Sequence, residues 1–243
     1  MGRELDQSTK ARNVLGPTQF VIWFLGISLE ATVVVCAVLR GSFRRYIFLN
    51  LYMAATLLVE IGRFQFLKHF GSNSFEFIYF YFYSDALLTI LLYFALISLY
   101  TVVFDEMKAE KYVRFGAVLL LAGTSLFTYA VVHQSSAKIL THFVFELCQN
   151  LYFVGLVLTF VLWGAVLKLR ETRTRVIQFV LSLGVYFSAF AVTYALRNLF
   201  PNFQTPYLAQ AIGFFLPFAW VYTFWRVPEE ARLAPSRVTV VPR

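Results

Sequence analysis

A polytopic, all-α bundle of seven membrane-spanning helices is the fold predicted by the apolar composition, by the spacing of long apolar runs, and by the alternation of basic connections between them. Of the 243 residues, 59% are hydrophobic, 19% aromatic and only 14% charged, with a mean hydropathy of +0.67. Soluble domains run to roughly 45–50% apolar and 25% charged. The apolar runs fall at 17–39, 46–67, 77–104, 114–133, 139–167, 175–198 and 206–225. Each matches or exceeds the roughly 20 residues that cross a hydrocarbon core about 30 Å thick. The connections are too short to house a soluble domain. The chain therefore divides into an extracytoplasmic segment at 1–16, a seven-helix transmembrane domain at 17–225 and a disordered cytoplasmic tail at 226–243.

The run at 17–39 is longer than a signal-peptide core and ends in "CAVLRGSFRRY", with basic residues where a small-residue cleavage site belongs. It is retained as the first helix. The run at 46–67 carries Glu60 and Arg63, an i, i+3 pair on one face. At 75–88 the chain reads "FEFIYFYFYSDALL", an aromatic belt of the kind that favours a membrane interface, with Asp85 set about two turns inside it. An ionised carboxylate at that depth costs a few kcal/mol or more unless it is paired, protonated or hydrated. Tyr81, Asp85 and Thr89 share a face by their spacing.

The run at 139–167 places His142, Glu146 and Gln149 on one stripe, flanked by Asn150, and the run at 175–198 brings Tyr194 and Arg197 to its far end. The last run holds Pro217 four residues after Gly213, which predicts a bend.

Short cytoplasmic loops retain Lys and Arg, so the basic residues orient the bundle. Arg40, Arg44 and Arg45 follow the first run, Lys108, Lys111 and Arg114 the third, and Lys168, Arg170, Arg173 and Arg175 the fifth, while Arg226, Arg232, Arg237 and Arg243 lie in the tail, fourteen on one side. Only Arg3, Lys10, Arg12, Lys68, Lys138 and Arg197, six residues, fall on the other. The N-terminus is thus placed outside and the C-terminus in the cytoplasm of a bacterial inner membrane. This bias and anionic lipid account for the formal net charge of +8, so nucleic acid is not implied as a partner.

With that topology the polar residues of several helices converge in the outer half of the bundle. The candidate ligand-binding set is Glu60, Arg63, Tyr81, Asp85, His142, Glu146, Gln149, Asn150, Tyr194 and Arg197, with Glu30 somewhat deeper. Asp85 is expected to reach Arg63, His142 or Glu146. The bland reading is interhelical hydrogen bonding and charge neutralisation that hold the helices in register, at roughly 0.6–2 kcal/mol per bond. The functional reading is an outward-facing pocket for a small polar or ionic ligand, since three carboxylates and a histidine outnumber the arginine.

No Gly-rich phosphate loop, Gly-x-Ser-x-Gly or His-Glu-x-x-His is present, and Ser84 beside Asp85 is a poor nucleophile because adjacent helical residues face different directions. An enzyme is not expected, nor a cofactor. His69, His133 and His142 form no metal-ligand pair beyond the single turn from His142 to Glu146, so no metal is assigned. Every lysine lies in a terminus or near a helix end, which excludes a retinal Schiff base in the seventh helix. Cys36 and Cys148 read as buried hydrophobes toward opposite leaflets, too far apart for a disulfide.

"AVLR" at 37–40 pairs with "AVLK" at 165–168, and "FLKHF" at 66–70 with "ALRNL" at 195–199, which suggests a 3+1+3 duplication of the kind found in small solute transporters. The stretches "RRYIFLNLYMAATLLVEIGRF" and "YFYSDALLTILLYFALISLYTVVF" resemble a pattern found in uncharacterised seven-helix bacterial membrane proteins of about this length. That resemblance implies a fold and a location but no activity. Similarity to the membrane input regions of bacterial sensor kinases implies a separate membrane or signalling partner, because the tail has no room for a kinase. The functional expectation is a receptor-like, ligand-binding membrane component. The alternatives are a small solute transporter and a structural subunit of a membrane complex. A reporter active only in the cytoplasm should work when fused after Arg243 and fail after Ser72; the reverse would overturn the orientation.

Overall fold

The computed structural model describes residues 17–71, 74–104, 110–133, 139–168, 173–200 and 206–229. Seven helices occupy them, and no strand is found among the described residues: α1 Pro17–Leu39, α2 Ile47–Phe70, α3 Phe75–Val103, α4 Glu110–His133, α5 Ile139–Lys168, α6 Thr174–Leu199 and α7 Pro206–Arg226. Six of them carry apolar segments of 19 to 29 residues, long enough to cross a membrane; in α4 the residues whose side chains are described include the apolar stretch Val118–Tyr129.

Local sequence explains the helix ends. α1 stops because Gly41 takes a φ of 65°, with the Gly41 amide on the Val38 carbonyl and the Ser42 amide on the Ala37 carbonyl, a Schellman closure that favours a residue without Cβ. α3 starts at Ser74, whose hydroxyl accepts from the Phe77 amide at 3.1 Å, with Glu76 in the first turn against the positive end of the helix dipole. α7 continues through Pro217.

The helices pack in chain order around a closed ring, α7 returning to α1, and α3 also touches α5 and α6. Half of the span is buried in α3 and α6, against about a fifth in α1. Leu92, Leu96 and Leu99 of α3 meet Phe179, Leu183 and Phe187 of α6 and Trp220 and Phe224 of α7 in one core. Phe179 stands edge-on to Tyr46 at 5.0 Å and to Trp220 at 5.8 Å, the arrangement aromatic quadrupoles favour. The perimeter is apolar too, with Phe24, Leu58, Phe160 and Phe218 each more than 60% exposed. A surface of that kind suits hydrocarbon.

Small residues bring α5 and α6 together. A Cβ at Gly155 would collide with the ring of Phe187, and one at Gly184 would stand 3.3 Å from the Thr159 methyl. Lipid supplies no hydrophobic drive between helices, so close backbone approach through small residues takes over that role. Gly155→Ala should therefore lower the melting temperature in detergent, by overpacking worth about 1–3 kcal/mol, whereas Gly123→Ala, which meets nothing within 4 Å, should leave it unchanged.

Candidate functional site

Arg63 is the hub of the polar residues. Its Nη1 donates to Glu60 Oε1 at 2.9 Å across one turn of α2. Its Nε and Nη2 donate to Ser84 Oγ of α3 at 3.2 and 3.1 Å, and Nη2 also to the Tyr81 carbonyl at 3.3 Å. The guanidinium lies over the Tyr81 ring, 4.2 Å from its centroid. The Asp85 carboxylate stands 3.6 Å from Nη2, a looser pairing. From α1, Trp23 Nε1 donates to the second oxygen of Glu60 at 2.5 Å. One guanidinium thus gathers three helices. The i, i+3 spacing of Glu60 and Arg63 makes this possible, and Ser84 frees its own oxygen for it by giving its proton to the Tyr81 carbonyl at 2.9 Å.

The side chains of Arg63, Glu60 and Asp85 are 12, 21 and 36% exposed. Asp85 is the open edge of the group. Seven residues before Glu30 on the same face of α1 stands Trp23, so Glu30 lies about 10 Å deeper. It is 8% exposed, within electrostatic reach of Glu60, Arg63 and Tyr52, and its Oε2 has no hydrogen-bond partner among the described residues. Tyr186 packs against Tyr152, ring centroids 6.4 Å apart, with Tyr52 within electrostatic reach.

The expected convergence is met in part. Glu60, Arg63, Tyr81 and Asp85 come together, with Arg63 as the partner of Asp85. Glu146 and Gln149 are half-buried on α5 and make no hydrogen bond or ion pair with Arg63, Glu60 or Asp85. The side chain of His142 lies outside the described residues. Asn150 turns away to α4 and donates to Thr128 Oγ1 at 3.0 Å. Tyr194 packs with Tyr152 and Phe145, and the Arg197 guanidinium lies 4.8 Å over the Phe145 ring. Among the described residues, no group of three or more His, Cys, Asp or Glu side chains could hold a metal ion. Cys36 and Cys148 are buried free thiols, the latter 3.7 Å from the Thr89 hydroxyl that donates to it.

A second polar group, at the opposite end of the bundle, was hidden in residues that the sequence presents only as loop charges. Arg175, 6% exposed, donates from Nη1 to Ser42 Oγ at 2.9 Å and from Nη2 to the Val227 carbonyl at 2.9 Å. Glu229 pairs with Arg175 at 3.2 Å and with Arg45 at 2.6 Å. Tyr46 is buried beside them, and burial first, then the charge of Glu229, raises its phenol above the usual value. Every partner here is a backbone carbonyl or a group of the chain itself, so the arrangement is a clamp on the α1–α2 turn and the end of α7.

No family model, curated protein or solved structure matches this chain.

The geometry makes Arg63 far more costly to remove than Asp85. Arg63→Gln strands Glu60 in a partly buried site and should lower stability by about 3–5 kcal/mol. Asp85→Asn gives up a 3.6 Å pairing at the open edge and should cost under about 1 kcal/mol. Thermal unfolding in detergent of both single variants and the double measures this, and equal losses would contradict it.

Proposed function

We propose that the protein is a receptor-like, ligand-binding component of the bacterial cytoplasmic membrane, with the Arg63 group open to the outside and the C-terminus in the cytoplasm. In this reading it carries no catalytic step. The supporting observation is Glu30: a carboxylate that is nine-tenths buried, with an oxygen that finds no partner among the described residues, within electrostatic reach of Glu60 and Arg63, while Arg63 already pairs with Glu60 and Asp85. Buried carboxylates are tolerated when they are paired, protonated or bind a cation. Excess acid around Arg63 therefore favours a small cationic ligand over an anionic or neutral one. Asp85, the most exposed of the charged members, stands at the entrance. Any signal would pass to a separate membrane or signalling partner.

The alternative is a small solute transporter with a 3+1+3 helix repeat. It draws support from α4, which packs against α3 and α5 between the two triplets, as a linker helix would. Transport needs a polar path through the far half of the bundle. The core there is built from Leu99, Phe179, Trp220 and Phe224, and for that reason it ranks second.

Ligand binding to the folded state raises the melting temperature by mass action. Small ammonium and guanidinium salts should stabilise the purified protein more than sodium chloride of equal ionic strength, and Glu30→Gln should abolish the difference. A shift that persists in Glu30→Gln, or no shift from any of these cations, would overturn the reading. Cation-driven solute uptake by reconstituted vesicles would favour the transporter instead.

A further inference from the structure

Glu30 stands near the middle of α1, where its neighbours leave it no counter-ion of its own. α1 packs on α2 and α7. α2 brings Glu60, Arg63 and Tyr52 within electrostatic reach of the carboxylate. α7 carries no ionisable side chain between Tyr207 and Tyr222. What α7 offers instead is ring surface: Phe214 comes to 3.4 Å from the Cβ position of Gly26, one turn before Glu30, and Trp220 stands edge-on to Tyr52 at 6.0 Å. Arg63 is already committed, with Glu60 at 2.9 Å, Asp85 at 3.6 Å and its other N–H groups on Ser84 and the Tyr81 carbonyl. Together Arg63, Glu60 and Asp85 carry one net negative charge, which opposes a second one beside them.

A carboxyl group that is 8% exposed, with an Oε2 that has no hydrogen-bond partner among the described residues, can be held at that depth in two ways. It is either a neutral acid or one half of an ion pair with something that enters. Among the described residues nothing supplies the second, so the empty site takes the first. A cationic ligand needs the second. Passing from one to the other moves a proton.

We propose that Glu30 holds a proton in the ligand-free protein and releases it when a small ammonium-type cation binds, so that the site exchanges one cation for one proton. This rests on the reading of the Arg63 group as a cation site and adds what that site gives up. The carboxyl O–H bond breaks, its electron pair stays on the carboxylate, the proton leaves to water, and the ammonium pairs with the carboxylate. The group carries one net negative charge before and after, so the exchange buries no additional charge. Acid competes with the cation: affinity should weaken by about tenfold for each pH unit of acidification while Glu30 is protonated in the free protein, and should stop changing at a pH high enough to ionise it without ligand.

Infrared difference spectroscopy of the purified full chain, with methylammonium chloride as the cation, tests this. Near neutral pH the ligand-free protein should show the carbonyl stretch of a protonated carboxyl, displaced in heavy water. The band should vanish in Glu30→Gln and persist in Asp85→Asn, whose carboxylate sits beside Arg63. Methylammonium should bleach it in the unaltered chain, and a pH-indicator dye in weak buffer should report one proton released per cation bound. Absence of the band, or its loss in Asp85→Asn but not in Glu30→Gln, overturns the proposal whatever the cation does. A melting temperature that methylammonium raises through Glu30, equally at acid and neutral pH and with no proton released, overturns the exchange and leaves the cation-binding reading standing. No rise at all removes that reading, and the exchange with it. The indicator measurement uses the unaltered chain, so it decides even if Glu30→Gln does not fold.

Discussion

A guanidinium carried into a hydrocarbon slab has to be surrounded by oxygen atoms that the chain itself supplies, because the bilayer offers none. Arg63 imposes that requirement on three helices. Glu60 answers it from one turn earlier, Ser84 and the Tyr81 carbonyl from α3, and Trp23 of α1 is drawn in through Glu60. The register of α1, α2 and α3 at this end follows from a single side chain. Rotating α3 by one residue would remove both Ser84 and the open carbonyl from reach.

Arg175 does the same at the other end with different materials. It gathers Ser42 from the turn after α1, the Val227 carbonyl after α7 and Glu229. The first arginine is surrounded largely by acid and leaves Asp85 facing outward; the second is enclosed. At both ends a buried guanidinium has a more open charged neighbour, Asp85 at 36% beside Arg63, and Glu229 at 31% and Arg45 at 44% beside Arg175.

The helices were legible because length and hydropathy decide whether a segment crosses a membrane. The run at 46–67 became Ile47–Phe70, and that at 77–104 became Phe75–Val103. The pairing of Glu60, Arg63 and Asp85 was legible too, since charges at one depth in an apolar medium have few places to go. Rotation about the helix axis was not. α5 is apolar nearly all round, so nothing in its pattern reveals that Asn150 faces Thr128 of α4 and not the Arg63 group. Trp23 looked like any belt aromatic, although it is a hydrogen-bond donor to Glu60. Arg175 read as one loop charge among fourteen, because its burial depends on a turn and a chain end far away in sequence that meet only in the fold.

The ring of Phe187 occupies the space that a side chain on Gly155 would fill, and it works as a key in a lock between two shafts. α5 and α6 can neither slide nor roll past each other without withdrawing that ring through packed neighbours. Interiors at this density pass from one arrangement to another in discrete steps and do not yield gradually. Any rearrangement of the bundle is therefore channelled to the other seams, with α5 and α6 travelling as a single plate.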